Sequence, residues 1–227
     1  MKITWLGQAG LLFEIKGKLI LIDPYLSDSV SKDNPKNQRR VPVDTQFLKL
    51  EPDMIICTHD HKDHLDPETM AYYLQQQKAI SFLCPQKAWE HIRELGRDMD
   101  HNYILFDRHT EWTEFGIRFR AVKAQHSDVS AIGVLIEAEE KCLYVTGDTL
   151  YHREIFGDLP EKIDAIFLPV NGVGNNMNFT DAARFAARIN AKNVVPIHWG
   201  LFDSLDVEQF SCENRVIPQI YHEIELK

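Results

Sequence analysis

The sequence predicts an α/β fold made of two related layers that face each other. Two observations predict it. Short apolar runs (Met54-Ile55-Ile56-Cys57, Ile80–Cys84, Ile163–Leu168, Asn193–Ile197) are bounded by turn residues and alternate with helical segments, the rhythm of sheets covered by helices. The order also recurs: strands first, then strand-helix units, once in each half of the chain. The 227 residues read as one domain, 1–227, long enough to bury a substantial core.

The first half opens with strands. Ile3-Thr4-Trp5-Leu6 leads into a Gly7–Gly10 turn, and Leu11–Ile15 and Lys18–Asp23 flank a hairpin turn at Lys16-Gly17. Pro24 cannot donate to a ladder, so this strand ends there. The polar stretch Ser27–Val43 reads as a surface loop or as a lid over a site, in which Arg39 and Arg40 could meet an anionic substrate. Asp66 and Pro67 are the N-cap and first position of a helix over Pro67–Gln77. A second helix over Pro85–Leu95 stops at Gly96.

The second half repeats the pattern. Tyr103–Phe106, Glu111–Glu114 and Ile117–Ala124 read as strands, and Ala131–Ala138 with Cys142–Thr146 as a hairpin. Thr180 is the expected cap of a helix through Ile189. A short helix near Val207–Cys212 and a last strand near Ile220–Leu226 close the chain.

The chemistry concentrates in Thr58-His59-Asp60-His61-Lys62-Asp63-His64, directly after the apolar run ending at Cys57. Imidazole nitrogens and carboxylate oxygens are ligands for borderline divalent ions such as zinc, manganese or iron. Three further residues of the same kind follow other strands: His126, Asp148 in Thr-Gly-Asp-Thr, and His198. Loops at strand ends are where α/β folds build their sites. The seven candidates, His59, His61, Asp63, His64, His126, Asp148 and His198, suit two metal ions, with Asp148 able to bridge because a carboxylate has two oxygens. Two such ions would yield a hydroxide near neutral pH and stabilise the oxyanion formed when it attacks. Asp63 could serve as ligand or as general base. Asn171, Asn175 and Asn176 lie in a Gly-containing loop and read either as turn residues or as amides for substrate hydroxyls. Trp199, beside a ligand, is an expected pocket wall. Of the other histidines, His91 and His222 read as structural, while His152, close to Asp148, could reach substrate.

Composition narrows the function classes. The net charge of -9 argues against nucleic acid or an anionic membrane as partner, which leaves a small-molecule substrate; self-association into a homo-oligomer stays open. The four cysteines show no CxxC or disulfide-framework spacing, which suits a reduced compartment, and the expected location is the cytoplasm.

His59-Asp60-His61-Lys62-Asp63-His64 matches the HxHxDH signature of the metallo-β-lactamase superfamily, and His126, Asp148 and His198 follow in the order that superfamily uses. Trp5-Leu6-Gly7-Gln8-Ala9-Gly10, Ile22-Asp23-Pro24-Tyr25, Leu168–Gly172 and Val195–Trp199 resemble its L-ascorbate-6-phosphate lactonase branch. The resemblance implies a four-layer αβ/βα sandwich, two facing mixed β-sheets with helices outside. It implies a cytoplasmic hydrolase with Mn2+ or Zn2+, acting on a small polar, in some members phosphorylated, lactone or ester. By the same resemblance, His59, His61 and His126 would bind one ion, Asp63, His64 and His198 the other, and Asp148 would bridge. A phosphodiesterase on this scaffold and a non-catalytic metal-binding sensor are the alternatives.

Overall fold

The computed structural model describes residues 1–227. Six strands form the first sheet in chain order: β1 (Lys2–Gly7), β2 (Gly10–Ile15), β3 (Lys18–Ile22), β4 (Met54–Ile56), β5 (Ser81–Cys84) and β6 (Asn102–Leu105). Between them lie helices α1 (Ser29–Asp33), α2 (Pro67–Leu74) and α3 (Gln86–Leu95). The second sheet contains β7 (Glu111–Glu114), β8 (Ile117–Lys123), β9 (Ile132–Ala138), β10 (Lys141–Val145), β11 (Ala165–Pro169) and β12 (Asn193–Ile197), and α4 (Phe179–Ile189) joins the last two. Both sheets are mixed. β1, β2 and β3 pair antiparallel and β3 to β6 parallel. β7 to β10 pair antiparallel and β10 to β12 parallel. Hairpins make the antiparallel pairs, and the parallel pairs need the helical crossovers, so the order of elements in the sequence dictates this split.

The period-2 alternation of strands sets the layers. In β2, Leu11, Phe13 and Ile15 join a core that also holds Phe119, Val134 and Phe167 of the other sheet. Leu12 between them faces outward, into a second core with Met70, Tyr73 and Leu74 of α2 and Ala88 and Ile92 of α3. Likewise Val134 and Ile136 of β9 face the first sheet, while Leu135 packs with Ala182, Phe185 and Ala186 of α4. The result is helix, sheet, sheet, helix. Phe13 and Phe167 meet edge to face across the middle, with centroids 5.8 Å apart. Each such fully buried side chain contributes about 1.5–3 kcal/mol.

Several boundaries differ from expectation. Asn178, not Thr180, caps α4: its side-chain oxygen accepts from the Asp181 amide at 2.9 Å. α2 ends at Leu74, three residues early, while Asp66 caps it as expected by accepting from Glu68 and Thr69. The last segment is no regular strand. Tyr221 sits at φ +65, which breaks an extended run, although Tyr221 and Ile224 still donate to Trp5 and Ile3 of β1. Ser27–Val43 is largely folded, containing α1 and a 3-10 turn at Pro35–Asn37. Arg39 is committed there: its guanidinium donates to the carbonyls of Tyr25 (2.8 Å) and Val41 (3.1 Å) and to the Tyr221 hydroxyl (2.7 Å). It ties the segment to Tyr25, just after β3, and to Tyr221 of the C-terminal segment, so its guanidinium is engaged within the fold. No helix is long and apolar enough to cross a membrane.

Candidate metal centre

The site lies where strands end. After β4, Thr58 and His59 are fully buried, and the chain then turns, with the amides of His64 and Leu65 both donating to the His61 carbonyl at 2.9 and 2.8 Å. This turn brings His61, Asp63 and His64 together. Asp60 is engaged elsewhere, its carboxylate 2.6 Å from Nδ1 of His91 and its amide donating to Asp128 at 3.1 Å. His91 therefore anchors the loop to α3. Lys62 pairs with Asp33 of α1 at 2.6 Å.

The second half supplies His126 after β8, Asp148 after β10 and His198 after β12. Gly147 sits at φ +60, and a Cβ there would lie 2.6 Å from the Ile132 carbonyl and 3.0 Å from Thr58. Only glycine lets β10 deliver Asp148 so close to the loop. His198 takes φ +61, a left-handed conformation costing on the order of 1–3 kcal/mol in a non-glycine residue. Its amide, donating to the Gln8 carbonyl at 2.8 Å, helps to hold it there.

The side chains form two sets. Nδ1 of His61 lies 3.0 Å from Nε2 of His59 and 3.2 Å from Nε2 of His126. In the other set, Oδ2 of Asp63 lies 3.4 Å from Nε2 of His198 and 3.8 Å from Nε2 of His64. Oδ2 of Asp148 stands between them, 3.2 Å from His198, 3.4 Å from His64 and 4.0 Å from His126. Ligands held at about 2.0–2.2 Å around one tetrahedral ion sit at about such separations from each other. Nε2 of His64 and Oδ1 of Asp148 are moreover buried without a hydrogen-bond partner. Buried polar atoms are normally satisfied, so these two are what a cation would complete. The donor set fits a divalent metal.

A further set of residues aims the ligands. The fully buried Asp23 accepts from Nδ1 of His64 at 2.8 Å and from the amide and hydroxyl of Thr58 at 2.7 and 2.6 Å. With the proton fixed on Nδ1, Nε2 of His64 is left for a metal. The Thr58 hydroxyl also lies 3.1 Å from Nδ1 of His59. Gln8 donates through Nε2 to Asp63 at 2.8 Å. Asn176 uses both ends of its amide: Nδ2 donates to Oδ2 of Asp148 at 2.8 Å, and Oδ1 accepts from the Thr149 amide at 3.0 Å. It positions a ligand, and it also lines the cavity beside the centre. Asn171 places its side-chain amide 3.0 Å from Nδ1 of His198, with Oδ1 unpaired. Turned by 180°, the same amide accepts a proton from Nδ1 and leaves Nε2 free, a choice that hydrogen-bond networks decide. Asn171 thus serves His198. The sequence marks Asp23 and Gln8 only as members of the segments Ile22–Tyr25 and Trp5–Gly10 that carry the family resemblance; it does not show that they aim His64 and Asp63.

Charge follows burial and pairing. Burial, reinforced by the neighbouring His64, pushes the His59 imidazole well below its ordinary pKa, and burial lowers His126 as well. Burial also opposes charge on His64 and His198. There the Asp148 and Asp63 carboxylates win, with Asp23 helping at His64, raising His64 well above its ordinary value and His198 to about 9. Burial likewise disfavours ionised Asp63 and Asp148, but the imidazoles of His64 and His198 hold both carboxyls below their ordinary range. Two ionised carboxylates buried among imidazoles are an attractive seat for a cation.

The centre opens on a cavity of about 650 Å³, into which His61, Asp63, Asp148 and His198 face. Asn175, at φ +63 and exposed, lines it too, and its carbonyl lies 3.3 Å from Nδ1 of His126. Trp199 is not part of the lining. It packs on Trp5, centroids 5.1 Å apart, and donates to the Pro196 carbonyl at 2.9 Å, so it supports β12 from behind. His152 caps a 3-10 turn by accepting from the Glu154 amide at 3.3 Å and does not line the cavity.

Comparison with known proteins identifies the family and agrees with the fold. The family model of the β-lactamase superfamily domain matches residues 18–199. A UPF0173 metal-dependent hydrolase of Ligilactobacillus salivarius is 30% identical over 223 residues, covering 92% of this chain and 91% of the relative. Among solved structures, Igni18, a metallo hydrolase of the archaeon Ignicoccus hospitalis, superposes with TM-score 0.76 at 19% identity, over 100% of this chain and 99% of that one. An isothiocyanate hydrolase from Delia radicum gut bacteria superposes with TM-score 0.77 at 22% identity and the same coverage. With a family match across most of its length, two mixed sheets covered by helices, and a histidine-aspartate centre at their strand ends, the chain belongs to the metallo-β-lactamase superfamily, among the UPF0173 metal-dependent hydrolases.

Proposed function

We propose that the protein is a dinuclear hydrolase of small polar esters or lactones, loaded with Mn2+ or Zn2+ and acting in the reduced cytoplasm that its four free thiols suit. The observation that carries the reading is the division of the ligand residues into two sets that meet at Oδ2 of Asp148. His59, His61 and His126 would hold one ion, Asp63, His64 and His198 the other, with Asp148 shared. When bound, such a pair acidifies water and polarises a carbonyl oxygen.

The chain's own residues do the rest. Asp63 keeps 20% of its side chain open to the cavity, the most exposed carboxylate of the set, and its ionised state lets it orient the attacking water and accept a proton. Gln8 holds Oδ2 of that carboxylate, and Asn176 holds Oδ2 of Asp148. Hydrolysis of a lactone then opens the ring to a hydroxy acid with no other co-reactant than water.

Metal analysis of the purified protein, alongside turnover of a panel of lactones, carboxylic esters, bis-p-nitrophenyl phosphate and benzyl isothiocyanate, tests the reading. Two ions per chain and preferred turnover of a lactone or ester are expected, with both the metal content and the turnover reduced in His61→Ala. Full activity in that variant, or preferred cleavage of the phosphodiester, would sink it.

A further inference from the structure

The two ligand sets are not built alike. Each ligand of the Asp63, His64 and His198 set is held by a side chain of its own. Asp23 accepts from Nδ1 of His64 at 2.8 Å, Gln8 donates to Oδ2 of Asp63 at 2.8 Å, and Asn171 lies 3.0 Å from Nδ1 of His198. Asp23 and Gln8 are themselves buried. The His59, His61 and His126 set is held more loosely. The Thr58 hydroxyl lies 3.1 Å from Nδ1 of His59. Nδ1 of His126 meets the carbonyl of Asn175 at 3.3 Å, and Asn175 is an exposed loop residue at φ +63. His61 is only partly buried, and its close polar contacts, both through Nδ1, are to the other two ligands of its own set.

Charge divides the same way. Asp63 belongs to one set only, and the shared Asp148 leans towards that set: its Oδ2 lies 3.2 Å from His198 and 3.4 Å from His64, against 4.0 Å from His126. Resting on the dinuclear reading above, we propose that the two seats fill in order. The Asp63–His64–His198 seat takes the first divalent ion and holds it tightly, with Gln8 and Asn171 as its positioning residues; the His59–His61–His126 seat takes the second ion weakly. Two physical reasons act together. Ligands already aimed lose less freedom on binding, and losing one such orienting partner costs a metal site about 10–100-fold in affinity. A first ion is drawn to the seat with two carboxylates, whereas a second ion about 3.5–4 Å away enters a seat of imidazoles against the repulsion of the first. The seat that contains His61 then sets the free metal concentration at which the centre is complete.

Stepwise affinities of the metal-stripped protein for Mn2+ and for Zn2+, measured by competition with chromophoric chelators, test the order, and electron paramagnetic resonance of the Mn2+ form shows whether two ions sit side by side. The wild type is expected to bind two ions in steps at least about tenfold apart, with an uncoupled Mn2+ spectrum at one equivalent and a spin-coupled one at two. His61→Ala should abolish the weak step and leave the tight one within about threefold of wild type, because His61 orients no ligand of the other seat. Gln8→Ala and, at a less buried position, Asn171→Ala should each weaken the tight step about tenfold. If the two steps appear while none of the lactones and esters is turned over, the hydrolase reading fails and the order of filling stands. Equal or cooperative steps, a spin-coupled spectrum from the first equivalent onward, no bound ion, a tight step lost in His61→Ala, or a tight step unchanged in both Gln8→Ala and Asn171→Ala overturns the proposal.

Discussion

Asp23 and His64 form a buried carboxylate–imidazole pair, 2.8 Å from Oδ2 to Nδ1, with both side chains fully sequestered. The pair decides which nitrogen of His64 faces the centre. In Asp23→Asn one acceptor remains for the Thr58 amide, and asparagine tolerates the φ of +46 at this position. The fold should survive, shown by an unchanged circular dichroism spectrum. Metal affinity, measured by competition with a chromophoric chelator, should fall about 10–100-fold, the usual effect of losing such a partner. Wild-type affinity in the variant would remove Asp23 from the site.

Chelation should soften the protein. Anything that binds the folded state alone stabilises it, by about 2.7 kcal/mol at a free concentration one hundred times Kd. At about 2–4 °C per kcal/mol for a domain of this size, stripping with EDTA should lower Tm by roughly 5–10 °C, and added Mn2+ or Zn2+ should restore it. A Tm indifferent to metal would contradict a centre built into the fold.

Gly147→Ala tests the close approach that delivers Asp148. The new methyl group would fall 2.6 Å from the Ile132 carbonyl and 3.0 Å from Cβ of Thr58, with a positive φ added to the clash. A loss of about 2–3 kcal/mol, at the upper end of ordinary single substitutions, is expected in urea unfolding. Metal content should fall with it, because Thr58 and Asp148 both have to move.

Acid sensitivity should be traceable in part to Asp53. Burial opposes its ionisation, but the Leu19 amide and the Lys78 and Lys18 ammonium groups outweigh burial and hold the carboxyl below its ordinary value. A carboxyl lowered in the folded state stabilises fully above the unfolded pKa of about 3.9 and loses that contribution as pH falls through the folded pKa. Asp53→Asn should therefore be less stable than wild type by about 1–2 kcal/mol at pH 7, and the gap should close below about pH 4. A gap that persists at pH 2–3 would assign the effect to packing instead.

The seven metal-type residues were readable because each follows an apolar strand, and strand ends on one edge of a sheet converge whatever the intervening loops do. The layers were readable for a similar reason: alternation in runs such as Leu11–Ile15 separates the inner from the outer core. What escaped was governed by contacts distant in sequence. Asp23 meets His64 across 41 residues and Gln8 meets Asp63 across 55, so neither shows a local pattern. Asn176 and Asn171 looked like substrate amides because their side chains suit either partner, and only the fold places Asp148 and His198 beside them. The choice of Asn178 over Thr180 as helix cap is of another kind. Both are capping residues two positions apart, and the intrinsic order, Asn above Thr, already favours Asn178.

The centre draws its ligands from both halves of the chain. His59 and His61 belong to the first sheet and His126 to the second; Asp63 and His64 belong to the first and His198 to the second. Cut between β6 and β7, the chain would yield two fragments of similar layout, each with only part of the donor set. The donor set therefore exists only while the two sheets stay packed face to face, so separating the halves would dismantle the centre before either sheet had to unfold.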